Sequence, residues 1–178
     1  FQTTNINTII NLYNLYVRPT LEYNTAIWNP TFIKDINSVE SVQKRFTKRL
    51  CQKNNLKFNS YADRLKLLGM ETLETRRFKR DIILMFKIFK KLVDLDFDEF
   101  FTPSISSANY NLRGHSFRLQ IPKHSGSTLR DNFFSNRILS VWNNLPEDLL
   151  ESPTLGAFKK KLNKIDLSTI FDNVFELL

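Results

Sequence analysis

The sequence has little cysteine, histidine, glycine or proline, and each shortage excludes a class of protein. The single cysteine, Cys51, rules out an internal disulfide framework. With only two histidines beside it, the chain cannot supply the usual four-ligand set of a structural zinc site. Cys51 reads as a reduced, structural thiol in an intracellular protein. Four Gly and six Pro in 178 residues are too few for a loop-rich β fold. No apolar run approaches the roughly 18 residues of a membrane helix, and there is no signal-peptide layout. No two aspartates are adjacent, and no G-x-S-x-G nucleophile pattern accompanies the histidines. Asp94, Asp96 and Asp98 open like a calcium loop. Glu99 and Ile105 stand where that loop needs Gly and Glu, so the segment reads as a solvated acidic turn. His115 and His124 read as surface or hydrogen-bonding histidines; Arg113 to Ser116 offers groups that suit a phosphate, without a spacing that demands one.

What is present is apolar and helical in period. Hydrophobic residues make up 42% of the chain, with 16 Phe, enough for a sizeable core at this length. Ile6, Ile9, Ile10, Tyr13, Tyr16 and Val17 predict a helix over 4–17, ended or kinked by Pro19, with a short second helix over 19–27. A third is expected over 34–52, with Ile36, Val39, Val42, Phe46 and Leu50 on its apolar arc. Ser60 and Asp63 make a capping box for a helix over 60–68, stopped by Gly69. A long helix follows over 72–93, then a turn at 94–101 with Phe97, Phe100 and Phe101 tucked inward, then a loop. Residues 117–121 alternate like a short strand. Helices return over 131–143 and 146–150, and Ser152-Pro153 reads as the start of a last one, running to about 165. The expected fold is mainly α, a multi-helix bundle with at most a short strand or hairpin near 117–121. Residues 1–52 form one region and 53–178 another.

Charge is uneven. Residues 34–91 carry 16 Lys/Arg against 6 Asp/Glu, while the flanks are neutral or slightly acidic. Lys44, Arg45 and Lys48 lie opposite the apolar arc of the third helix, with Arg49 at the edge of that face. Arg76, Lys79, Arg80 and Lys87 lie opposite that of the long one. Such faces suit a polyanion, so these eight residues are the candidate nucleic-acid contacts. Tyr13, Tyr16, Tyr23 and Trp28 have the chemistry to stack on bases. Their spacing and apolar neighbours favour core packing instead.

Several segments bear a resemblance, in order along the chain. LYNLYVRPTLEYNTAIWNP, Leu12 to Pro30, resembles the thumb of non-LTR (LINE-type) retrotransposon reverse transcriptases, where a helix, an R-P step, a Tyr and a Trp recur. VQKRFTKRL, Val42 to Leu50, is similar to the basic helix that follows that Trp in jockey-like elements. Tyr61 to Ile82 resembles their Y-x-x-R-L…L-E-x-R-R-x-x-x-D-L segment, with Met70 and Ile82 in place of two Leu. Arg113 to Leu119 and Phe133 to Leu162 resemble the terminal block with F-F-x-x-R, W-N-x-L-P and [ST]-x-x-x-F-K-x-x-L, the last opened by Thr154.

The resemblance implies a C-terminal fragment of a longer polyprotein, in keeping with a start at Phe1 rather than Met. The parent would be an RNA-directed DNA polymerase using magnesium at a Y-x-D-D site. This fragment alone would be non-catalytic, with no cofactor or metal of its own. It would grip template–primer or element RNA through its basic helix faces. Its partners would be RNA or an RNA–DNA hybrid and the missing palm, with no membrane. Its place would be the nucleus and cytoplasm, as a ribonucleoprotein. The alternative is a protein-interaction module that packs against the missing polymerase domain without touching nucleic acid.

Overall fold

A computed structural model describes residues 5–104, 115–122, 128–165 and 167. The chain is mainly helical, as expected. Its two compact units are residues 1–78 and 79–178, so the third and fourth helices, which the sequence divides between two regions, lie in one unit.

The first unit begins with α1 (Ile6–Leu12), whose N-terminal amides at Asn7 and Thr8 donate to the Asn5 side chain. Pro19 does not end this helix. The turn before it widens into a π segment at Tyr13–Val17, and α2 (Arg18–Leu21) continues from there. Proline has no amide hydrogen, and its ring crowds the carbonyl four residues back. The wider turn accommodates both defects, with Arg18 N donating five residues back to Tyr13 O and the Thr20 hydroxyl donating to Val17 O at 2.6 Å. Asn24, at φ 54°, turns the chain into α3 (Thr25–Trp28). The Trp28 indole N–H ties this turn to Tyr23 O.

Next come α4 (Ile33–Lys53) and α5 (Tyr61–Leu68). The capping box of Ser60 and Asp63 is formed, and Gly69 closes α5 at φ 61°. The buried line of α4 lies one residue on from the expected arc, about 100° around the helix. It runs through Glu40, Gln43, Thr47 and Cys51, with Leu50, while Val42 is 38% exposed. Hydrogen bonds from distant residues draw these polar side chains inward. Glu40 accepts from the Tyr61 hydroxyl and from Leu73 N at 3.0 Å. Gln43 accepts from the Tyr13 hydroxyl at 3.2 Å and donates to Glu71 O at 2.9 Å. Burial beside the Glu40 and Glu22 carboxylates pushes the Tyr13 phenol up to about 12.

The division between units falls within α6 (Leu73–Phe89). The second unit holds the larger apolar cluster. Phe86 stacks on Phe158 with centroids 3.8 Å apart, and Ile82, Met85, Leu149 and Leu162 are fully buried around them. Asp96 caps the short α7 (Phe97–Phe100) by accepting from Asp98 N, a structural use for one of the three spaced aspartates. Phe101 is buried as expected, whereas Phe100 is 44% exposed. Then come α8 (Thr128–Asp131), α9 (Phe134–Asn143), α10 (Glu147–Leu150) and α11 (Leu155–Leu162). The cap of α11 is Thr154, which accepts from Ala157 N, and not Ser152. Ser152 N still donates to Leu149 O, so this residue closes the turn of α10.

Among the described residues there is no strand beyond one antiparallel bridge, Pro103 to Leu119. Residues 115–119 are held mainly by α9 and α10. The Asn143 side chain accepts from Leu119 N and donates to Leu119 O, each at 2.8 Å. The Trp142 indole donates to Phe117 O at 3.0 Å, and Glu147 accepts from Ser116 N and Oγ. His115 is buried beneath them. Arg113, Gly114, His124 and most of the C-terminal segment lie outside the described residues.

Candidate nucleic-acid interface

The acid-free half of α4, Ser41 to Lys53, carries five cations and no carboxylate. The acid just before it, Glu40, faces inward. Arg45, Lys48 and Arg49 are exposed along this half. Lys44 is half-buried, its ammonium donating to Asn37 Oδ1 at 3.2 Å and lying 5.5 Å from the centre of the Tyr61 ring. Four of the eight expected contacts therefore lie on one helix, three of them well exposed.

The other four differ. Arg76 faces a carboxylate rather than solvent, donating to Glu22 from Nε at 2.5 Å and from Nη2 at 3.3 Å. Glu22 is fully buried, and a buried carboxylate requires a cation or several donors beside it. Arg77 is 1% exposed and donates to Asn29 Oδ1 at 3.0 Å. Lys79 is only 8% exposed, its ammonium 3.4 Å from Asn163 Oδ1. In the second unit Arg80 is exposed and Lys87 half-buried. The basic stripe expected on the long helix is thus broken by inward-turned cations.

Beside the cations of α4 lies an open apolar groove between α1, its π extension and α4. It has two lobes of about 490 Å³ each, both lined by Ile9 and Phe46. One lobe adds Val42, Leu50, Arg45, Arg49 and Lys53; the other adds Leu12, Tyr13, Tyr16 and Val17. Tyr13 stacks on Phe46 at 4.2 Å and is buried. Tyr16 and Tyr23 are about three-quarters exposed (74% and 75%), and Trp28 is 40% exposed, so of the four aromatics only Tyr13 packs as core. Leu15, Ile27, Phe32 and Ile33 are exposed in the same unit.

Other polar groups join blocks that the sequence shows only as separate motifs. Arg137 makes a two-pronged ion pair with Asp81, at 2.9 and 3.2 Å, and donates to Asn132 O. Sequence reasoning missed these partners because a motif shows spacing along the chain and not what lies across the fold. No group of three or more His, Cys, Asp or Glu among the described residues is placed to hold a metal ion. No helix among them is long and apolar enough to cross a membrane.

The chain is 32% identical over 77 residues, 43% of its length, to an uncharacterized protein of Caenorhabditis elegans. It spans about two fifths of that relative, the match covering 39% of the relative's length. No protein-family model matches the chain, and no solved structure matches it significantly.

Proposed function

We propose that this chain is the thumb and post-thumb portion of a LINE-type reverse transcriptase, and that it holds nucleic acid by its phosphates. The observation that carries the contact is the acid-free, exposed row Arg45, Lys48 and Arg49 on α4. Cations so placed neutralise phosphates, release counterions and position a duplex without reading its sequence. The ordered motifs support the family, and several of their residues bond to one another: Glu22 with Arg76, Asp81 with Arg137, and Leu119 with Asn143. Arg76 and Lys79 take structural roles in this reading, and Lys44, Arg80 and Lys87 are secondary contacts.

Binding to an RNA–DNA duplex, followed by fluorescence anisotropy across a salt series, tests the contact. Each neutralised phosphate steepens the log–log salt slope by about 0.7–0.9, so Arg45→Glu/Lys48→Glu/Arg49→Glu is expected to flatten it by about 2 or more. A folded variant with unchanged slope and affinity refutes the assignment. A second reading, a module that packs against the rest of a polymerase, draws on the exposed Leu15, Tyr16, Ile27, Phe32 and Ile33.

A further inference from the structure

Two parallel rows border the groove on α4, the apolar one passing from exposed Val42 through half-buried Phe46 to buried Leu50. Val42, Phe46 and Leu50 form one at i, i+4 and i+8. Arg45, Arg49 and Lys53 form the other, with the same spacing. Each step along a row rises about 6 Å, so the pair spans roughly three helical turns. The apolar row and Ile9 line a concavity, and the three cations share that lining.

We infer that this groove receives an amphipathic helix whose apolar face is flanked by carboxylates at i, i+4 and i+8. The apolar side chains of such a helix would enter the two lobes, and its acids would meet Arg45, Arg49 and Lys53. Charge decides among the occupants. A second copy docking groove to groove would bring two cationic rows into one interface and no carboxylate from either lining to offset them. A duplex backbone satisfies the cations but leaves Ile9, Val42 and Phe46 uncovered. A membrane surface calls for apolar side chains that project past the charges, and here they line a concavity. An acidic amphipathic helix answers both rows at once.

The proposal shares Arg45 and Arg49 with the phosphate reading, and Lys48 separates the two because it lies outside the groove lining. The probes are two fluorescent peptides of about 16 residues, long enough to hold helix, sharing one Leu/Phe face. One carries Glu at the three flanking positions and the other Lys. Three exposed ion pairs predict that the full chain binds the Glu peptide about tenfold or more tightly than the Lys peptide. Arg45→Glu/Arg49→Glu/Lys53→Glu, checked for fold by circular dichroism, is expected to reverse the preference. Lys48→Glu is expected to leave peptide binding unchanged while weakening duplex binding. Equal affinity for the two peptides, no binding of either, or a preference that survives the charge reversal overturns the proposal. So does capture by phosphatidylserine-containing vesicles, or self-association, without peptide binding.

Discussion

Both ring nitrogens of His115 are engaged, and their partners leave one protonation state. Nε2 lies 3.0 Å from the Trp142 carbonyl, which can only accept, so Nε2 carries the hydrogen. Nδ1 accepts from Phe117 N at 3.1 Å. A second proton on Nδ1 would confront that amide hydrogen. Burial also penalises the imidazolium, and the His115 pKa is lowered, burial outweighing the Trp142 carbonyl and Glu147, which raise it. Between the lowered folded value and the unfolded value of about 6.5, the unfolded chain binds a proton that the folded chain does not. Stability is therefore full above about pH 6.5 and falls as pH drops through the window to the folded value. Urea unfolding across that range checks it: the wild type is expected to lose stability there, and His115→Gln to lose little. From sequence, this histidine belongs to a surface or hydrogen-bonding class. Its burial depends on Trp142, 27 residues away, which local spacing does not reveal.

Elements whose ends are set by neighbours were legible, and elements set by distant partners were not. The bounds of α5 follow from Ser60, Asp63 and Gly69, all within ten residues. The wheel of α4 misled because it ranks side chains by apolarity. Glu40, Gln43 and Thr47 are buried for the sake of hydrogen bonds, and their partners include Tyr13, Tyr61 and Leu73. The Glu40 carboxylate also lies at the first turn of α6, where a negative charge is favoured by the helix dipole. Glu40→Ala leaves Leu73 N and the Tyr61 hydroxyl without this acceptor. The expected cost is about 2–4 kcal/mol, read from the denaturation midpoint, because a buried donor losing its acceptor costs roughly 1–3 kcal/mol. The π segment was equally hidden. Pro19 signals a break, and only the chain around it shows that a widened turn takes its place.

At the scale of the whole molecule, the two units differ in what they bury. The second is built around Ile82, Phe86, Trp142, Leu149 and Phe158. The cluster of the first contains Leu50, Cys51 and Leu68, and its aromatic and aliphatic surface near α2 and α3 is largely exposed. Local opening is easiest where few apolar contacts hold an element. Hydrogen exchange is accordingly expected to be slowest at amides of 82–89 and 138–142 and fastest in α1 to α3. The reverse order would show that the polar network of the first unit outweighs the apolar core of the second. The helical class was legible from period alone. The uneven charge was legible too, but its division between solvent and interior was not, since Arg76 and Lys79 look the same in sequence as Lys48.

The short extended segment in the second unit carries a consequence of its own. Arg118 O and Gln120 N pair with Ser104 and Thr102 along one side, and the Asn143 amide occupies both backbone groups of Leu119 on the other. A side chain there stands in for a neighbouring strand, and at residues 118–120 neither edge offers a free ladder to another chain. Asn143 thus closes the outer edge of this short segment, leaving neither backbone group of Leu119 open to a strand from another chain.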